Sequence, residues 1–130
     1  MIQFLKTIFY FSILFLIIIS LYPGSLLGYL LYGDFSKQPN FIGNPFGASI
    51  NHFIYYICVS LLGFFLYLKT KNFKNFKNLT YGLFFLSIIL EVIHFIIPNR
   101  SFQIVDLFGN ILGVIVAYFI VKIYLFFNRP

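Results

Sequence analysis

Residues Leu79–Ile97 read LTYGLFFLSIILEVIHFII, and Pro98 follows them. A mostly apolar run of this length covers the hydrocarbon core of a bilayer, about 30 Å at a helical rise of about 1.5 Å per residue. The run also carries Glu91 and His94 toward its end. A carboxylate and an imidazole at that depth must face protein or water rather than lipid, so this helix has to pack against others.

Three further stretches have the same character. Phe4–Tyr22 is ended by Pro23-Gly24, Ile50–Leu68 stops at a basic segment, and Ile104–Phe127 runs almost to the last residue. The whole chain of 130 residues is 61% apolar and only 9% charged, against roughly 25% charged in a soluble domain. A soluble fold this short would lack the polar side chains to cover its surface. The expected fold is all-α: a polytopic membrane protein, one domain over residues 1–130, built as a bundle of four transmembrane helices at about 4–22, 50–68, 79–97 and 104–127. The first run is read as a span rather than a cleavable signal, because no small-x-small cleavage site follows it. Cys58, the single cysteine, lies inside an apolar run and offers no disulfide or paired-cysteine metal motif.

The net charge of +6 is explained by topology rather than by nucleic-acid binding. Lys69, Lys71, Lys74 and Lys77 crowd the short segment 69–78, which the positive-inside rule makes a cytoplasmic loop. Four spans then put both termini inside, with Lys6, Lys122 and Arg129, and leave only Lys37 and Arg100 outside. The expected orientation is N-in/C-in, in a bacterial cytoplasmic membrane, with residues 23–49 as the external loop. Within that loop Leu26–Tyr32 is apolar but too short to cross, and is expected at the interface with its tyrosines at headgroup level. Gly33–Gly47 reads as irregular chain.

Polar side chains inside or beside the spans are few: His52, Glu91, His94, Asp106, Asn110 and, just before the last span, Arg100. At about 100° per residue His52, Tyr56 and Gly63 share one face, as do Thr80, Ser87, Glu91 and His94. Asp106, Gly109, Asn110, Gly113 and Ala117 share a face of the last helix. These stripes are expected to meet inside the bundle, in its outer half, around one outward-facing pocket, with Arg100 reaching back to pair with Asp106 or Glu91. Gly109-x-x-x-Gly113, extended by Ala117, is expected to allow close helix packing within the bundle.

Glu91-x-x-His94, then Ile97-Pro-Asn-Arg-Ser-Phe102, then Asp106-x-x-x-Asn110-x-x-Gly113 resembles the VanZ-like family of small bacterial membrane proteins. His52, followed four residues on by Tyr56, matches the family's histidine and tyrosine at the head of an earlier helix. The resemblance spans roughly residues 48–116. The chain departs from the family pattern at Ala48-Ser49, where an Asp-Lys pair is usual, and at His94, where glutamine is usual. The resemblance implies a role in the cell envelope; the namesake is associated with low-level resistance to the glycopeptide teicoplanin.

Two classes of function stand beside each other at this point. In the first, the pocket engages an anionic lipid-linked or peptidoglycan-related ligand, with Glu91 and His52 as the acid–base pair of any catalysis. Tyr56, His94, Arg100, Asp106 and Asn110 would then be its binding residues. In the second, the protein is a non-enzymatic accessory or immunity protein whose polar residues lock the helices together. His52, Glu91, His94 and Asp106 also make a zinc- or iron-type ligand set. The family's glutamine at the position of His94 argues against a metal as a general rule, and no metal or other cofactor is assigned. Membrane lipids are the expected partners.

Overall fold

The computed structural model describes residues 1–39, 49–70 and 73–128. Those described residues hold five helices, in chain order α1 (Ile2–Leu21), α2 (Leu26–Tyr32), α3 (Ser49–Thr70), α4 (Phe73–Ile93) and α5 (Ile104–Phe127). Among the described residues there is no strand. Of these helices four are long and apolar enough to cross a membrane, α4 through its part Asn75–Ile93. The protein is therefore an all-α, multi-pass membrane protein. Its outer surface agrees with that: Phe4, Phe11, Phe85, Phe108 and Phe119 are all exposed, which is tolerable only where lipid replaces water.

Residues 40–48, Lys71 and Arg129 lie outside the described residues, and with them part of the expected external loop and of the charge count that set the orientation.

The helix boundaries have local causes. α1 ends where Tyr22 turns extended before Pro23, although its N–H still reaches the carbonyl of Ile18. Gly24 follows with φ +89°, and a side chain there would press on the Phe35 carbonyl. Ser25 caps α2, accepting from the Gly28 N–H at 2.9 Å, and Gly33 closes that helix in the left-handed conformation. Residues 34–39 fold back over α2. Phe35 stacks on Tyr29 with centroids 4.2 Å apart, and the Phe35 carbonyl accepts from the Ser25 N–H.

α4 begins at Phe73, earlier than the apolar run Leu79–Ile97 suggests, and it ends at Ile93 rather than Ile97. Lysine and asparagine end an apolar run without ending a helix. At the other end, Phe95 and Ile96 continue the apolar run through a non-helical turn.

α3 and α5 form the central pair. The glycine ladder makes their close approach possible: a Cβ on Gly113 would lie 2.7 Å from the Phe53 carbonyl oxygen and 2.9 Å from the Ile57 nitrogen. Gly109 sits likewise against the Ser49 carbonyl. The ladder therefore packs inside this bundle, as its spacing suggested. Farther along, Phe64, Tyr67, Phe76 and Tyr118 form an aromatic cluster, with the Lys122 ammonium over the rings of Phe76 and Tyr118.

Candidate functional site

The polar residues gather where the start of α3, the end of α4 and the start of α5 meet. Asn110 fixes the geometry of that junction. Its Nδ2 donates to the Ser87 carbonyl on α4 at 3.3 Å, and its Oδ1 lies 3.1 Å from His52 Nδ1 on α3. A carbonyl only accepts, so the amide nitrogen belongs on the Ser87 side and the amide oxygen faces histidine. His52 must then carry a proton on Nδ1. In the neutral ring this leaves Nε2 with a bare lone pair.

That lone pair faces Asp106. His52 Nε2 and Asp106 Oδ2 are 3.6 Å apart, too far for a hydrogen bond. Glu91 completes the group: His52, Glu91 and Asp106 each bring a ligand-type atom to within 4.8 Å of the others. Glu91 is fully buried and Asp106 nearly so. Each keeps one buried carboxylate oxygen, Glu91 Oε2 and Asp106 Oδ1, with no hydrogen-bond partner among the described residues. A buried polar atom left unpaired costs about 1–3 kcal/mol, more when charged.

The other oxygen of Glu91 is fully engaged. Oε1 accepts from the backbone N–H of Gln103, the residue that caps α5, at 3.0 Å, and lies 3.2 Å from His94 Nδ1. His94 Nε2 lies 2.9 Å from the Ser20 carbonyl at the end of α1. Because that carbonyl needs a donor, Nε2 carries the ring proton. Both carboxylates also stand at the N-terminal end of α5, where the helix dipole favours negative charge.

Arg100 corrects the sequence reading. It pairs with neither acid; Nε donates to the Tyr22 carbonyl at 3.1 Å and Nη2 to that of Ile19 at 2.8 Å. It thus caps the end of α1, whose last carbonyls have no partner in their own helix. Asn99, with φ +60°, makes the turn that sends it there. Burial pushes the Arg100 guanidinium down from its ordinary value, while Glu91 and Asp106 pull it back up. His94 is displaced too: it lies in the turn just after α4, one residue beyond the helix, on the His94–Ser20 link rather than in the His52–Glu91–Asp106 group. Tyr56 is buried one turn along α3, and its hydroxyl donates to the Leu86 carbonyl at 3.4 Å.

A cavity of about 40 Å³ opens beside the cluster, lined by Ser25, Asn51, His52, Tyr55 and Arg100 among others. That is room for about two or three waters. A much larger cavity, about 740 Å³, lies between α1, α3 and α4 around Phe9, Gly63 and Tyr67. Its lining holds none of His52, Glu91 and Asp106, and is mostly apolar with Lys6, Thr70, Asn75 and Asn78 toward one end.

Sequence reasoning missed the contribution of α1 and of Gln103. Both act through backbone groups, which leave no residue-type signal. The position of Gln103, immediately before an acidic first turn, was the one available clue.

The family model described as VanZ/LLP1 matches residues 4–126, which takes in all four spanning helices. Neither the curated proteins nor the solved structures include a match. With nearly the whole chain covered by that match, the protein belongs to the VanZ/LLP1 family.

Proposed function

We propose that this protein binds an anionic lipid-linked or peptidoglycan-related ligand at the outer face of a bacterial cytoplasmic membrane, through the cluster around His52, Glu91 and Asp106. The observation that carries this reading is the small cavity lined by both the half-buried His52 and the Arg100 guanidinium, with the unpartnered Glu91 Oε2 and Asp106 Oδ1 in the same cluster as His52 to take a proton or a cation. Residues kept only for packing are expected to be satisfied by one another. His52 belongs both to this group and to the lining of the small cavity, where Arg100 supplies positive charge. A phosphate or carboxylate seated there would meet both. Glu91 and His52 are the groups placed to move a proton on such a ligand.

The helix-locking reading has its own support. Asn110 and Tyr56 bind carbonyls of α4, and His94 and Arg100 bind carbonyls of α1. These four side chains serve the bundle. Within this cluster His52 Nε2, Glu91 Oε2 and Asp106 Oδ1 are left over, and they define the site.

The test uses His52→Gln and Glu91→Gln, which keep hydrogen-bonding capacity and change charge or proton chemistry. Cells carrying the wild-type protein or either variant are compared for teicoplanin susceptibility, and the purified proteins for binding of phosphorylated polyprenyl lipid. Loss of binding with folding intact supports the site. Unchanged binding in both variants leaves only the packing role.

A further inference from the structure

We infer that His52 Nε2 and one carboxylate oxygen each of Glu91 and Asp106 form a binding site for a divalent cation.

Three independent observations lead there. The first is the tautomer: Ser87 orients Asn110, and Asn110 holds the proton of His52 on Nδ1, so Nε2 presents a lone pair. A metal-ligating histidine ordinarily has its other ring nitrogen held in this way. The second is the distance. His52 Nε2 and Asp106 Oδ2 are 3.6 Å apart. Two ligands on a tetrahedral ion with bonds of about 2.0–2.2 Å sit about 3.4 Å from each other. The observed gap is wrong for a direct hydrogen bond and close to right for two ligands of one ion. The third is the pair of buried carboxylate oxygens, Glu91 Oε2 and Asp106 Oδ1, that nothing among the described residues satisfies. All three residues have ligand atoms within 4.8 Å of one another, so small side-chain movements close the shell.

His94 is not among the three, so the objection attached to its position does not reach them. One imidazole with two carboxylates is a borderline-hard donor set, suited to Zn²⁺ or Mn²⁺ rather than to soft ions.

The ion also changes what the cluster attracts. Two carboxylates against the one guanidinium of Arg100 leave the cluster with one excess negative charge. A divalent ion reverses that to one excess positive charge, next to the cavity lined by His52 and Arg100. A phosphate reaching that cavity would complete the metal's coordination. This last step rests on the ligand reading above; metal uptake by itself does not.

The experiment takes the full chain in detergent, strips it with a chelator, and titrates it with Mn²⁺ or Zn²⁺ alone. Metal content is read by mass spectrometry, and affinity by calorimetry or, for Mn²⁺, by loss of the free-ion paramagnetic signal. The expected result is about one ion per chain. Asp106→Asn and His52→Gln should each weaken binding at least tenfold, Asn110→Ala by roughly 10–100-fold as a positioning residue, and Lys122→Gln at the far end should have no effect. Circular dichroism and monodispersity accompany each variant, and the wild-type titration stands even if a variant fails to fold. A stripped wild-type protein that takes up no metal overturns the inference, and so does equal uptake by Asp106→Asn and His52→Gln. Phosphorylated lipid bound equally well in excess chelator would sink the metal site and keep the ligand reading. Metal uptake without any lipid binding would do the reverse.

Discussion

His52 and Asn110 lie on facing helices with Nδ1 and Oδ1 3.1 Å apart, and the same asparagine donates to the Ser87 carbonyl on a third helix. One side chain thus ties α3, α4 and α5 together and decides which nitrogen of His52 is available.

Asn110→Ala should therefore cost both stability and site geometry. Two buried hydrogen bonds are lost and two partners are left unpaired, worth about 1–3 kcal/mol together. Ser87→Ala is the control. Its hydroxyl donates only within α4, to the Phe84 carbonyl at 2.7 Å, and Asn110 uses its backbone, so the substitution should cost under about 1 kcal/mol. Reversible unfolding in mixed detergent measures both. Equal losses would show that Asn110 is not the link.

Arg100→Ala should loosen the end of α1. The guanidinium holds the carbonyls of Ile19 and Tyr22, and hydrogen bonds to charged groups are worth about 1.5–3 kcal/mol each when well formed. Hydrogen exchange should rise selectively in the last turn of α1 and through α2, with α5 unchanged. Arg100→Lys should rescue only in part, because an ammonium cannot span two carbonyls as a planar fork does. An unaltered exchange pattern in Arg100→Ala would mean that the cap carries no weight.

The orientation has its own test. A reporter active only outside the cytoplasmic membrane should work when fused after Asn40 and fail when fused after Phe73. The opposite result would put Lys69 and Lys77 outside and place the His52 cluster on the cytoplasmic side.

The four spanning helices were legible because lipid demands long apolar runs, and such runs survive in any reading of the sequence. Their ends were less so. The apolar run containing Glu91 continues to Ile97, yet the helix stops at Ile93, because in a membrane the residues beyond a helix end need not be polar. Helical periodicity brought His52, Glu91, Asp106 and Asn110 to one junction, since each shares a face with the small residues that let the helices close. The partners of His94 and Arg100 were hidden. Both side chains end on main-chain carbonyls of α1, and every residue of α1 has a carbonyl to offer. From sequence, charge complementarity paired Arg100 with an acid; in the fold, the unsatisfied end of a helix was nearer.

The central claim is that Asp106 is present for a ligand rather than for the bundle, and the unfolding of Asp106→Asn measured in excess chelator tests it most directly. Glu91 is a less clean probe, since its other oxygen accepts from the Gln103 N–H and lies 3.2 Å from His94 Nδ1. Asp106 has one unpartnered oxygen and faces the lone pair of His52 across 3.6 Å, so asparagine removes an uncompensated charge and supplies a donor. The expected result is a midpoint equal to or above that of the wild type, together with loss of phosphorylated-lipid binding when that is measured without chelator. A midpoint several degrees lower, with lipid binding unchanged, would contradict the account and return Asp106 to the packing of the helices.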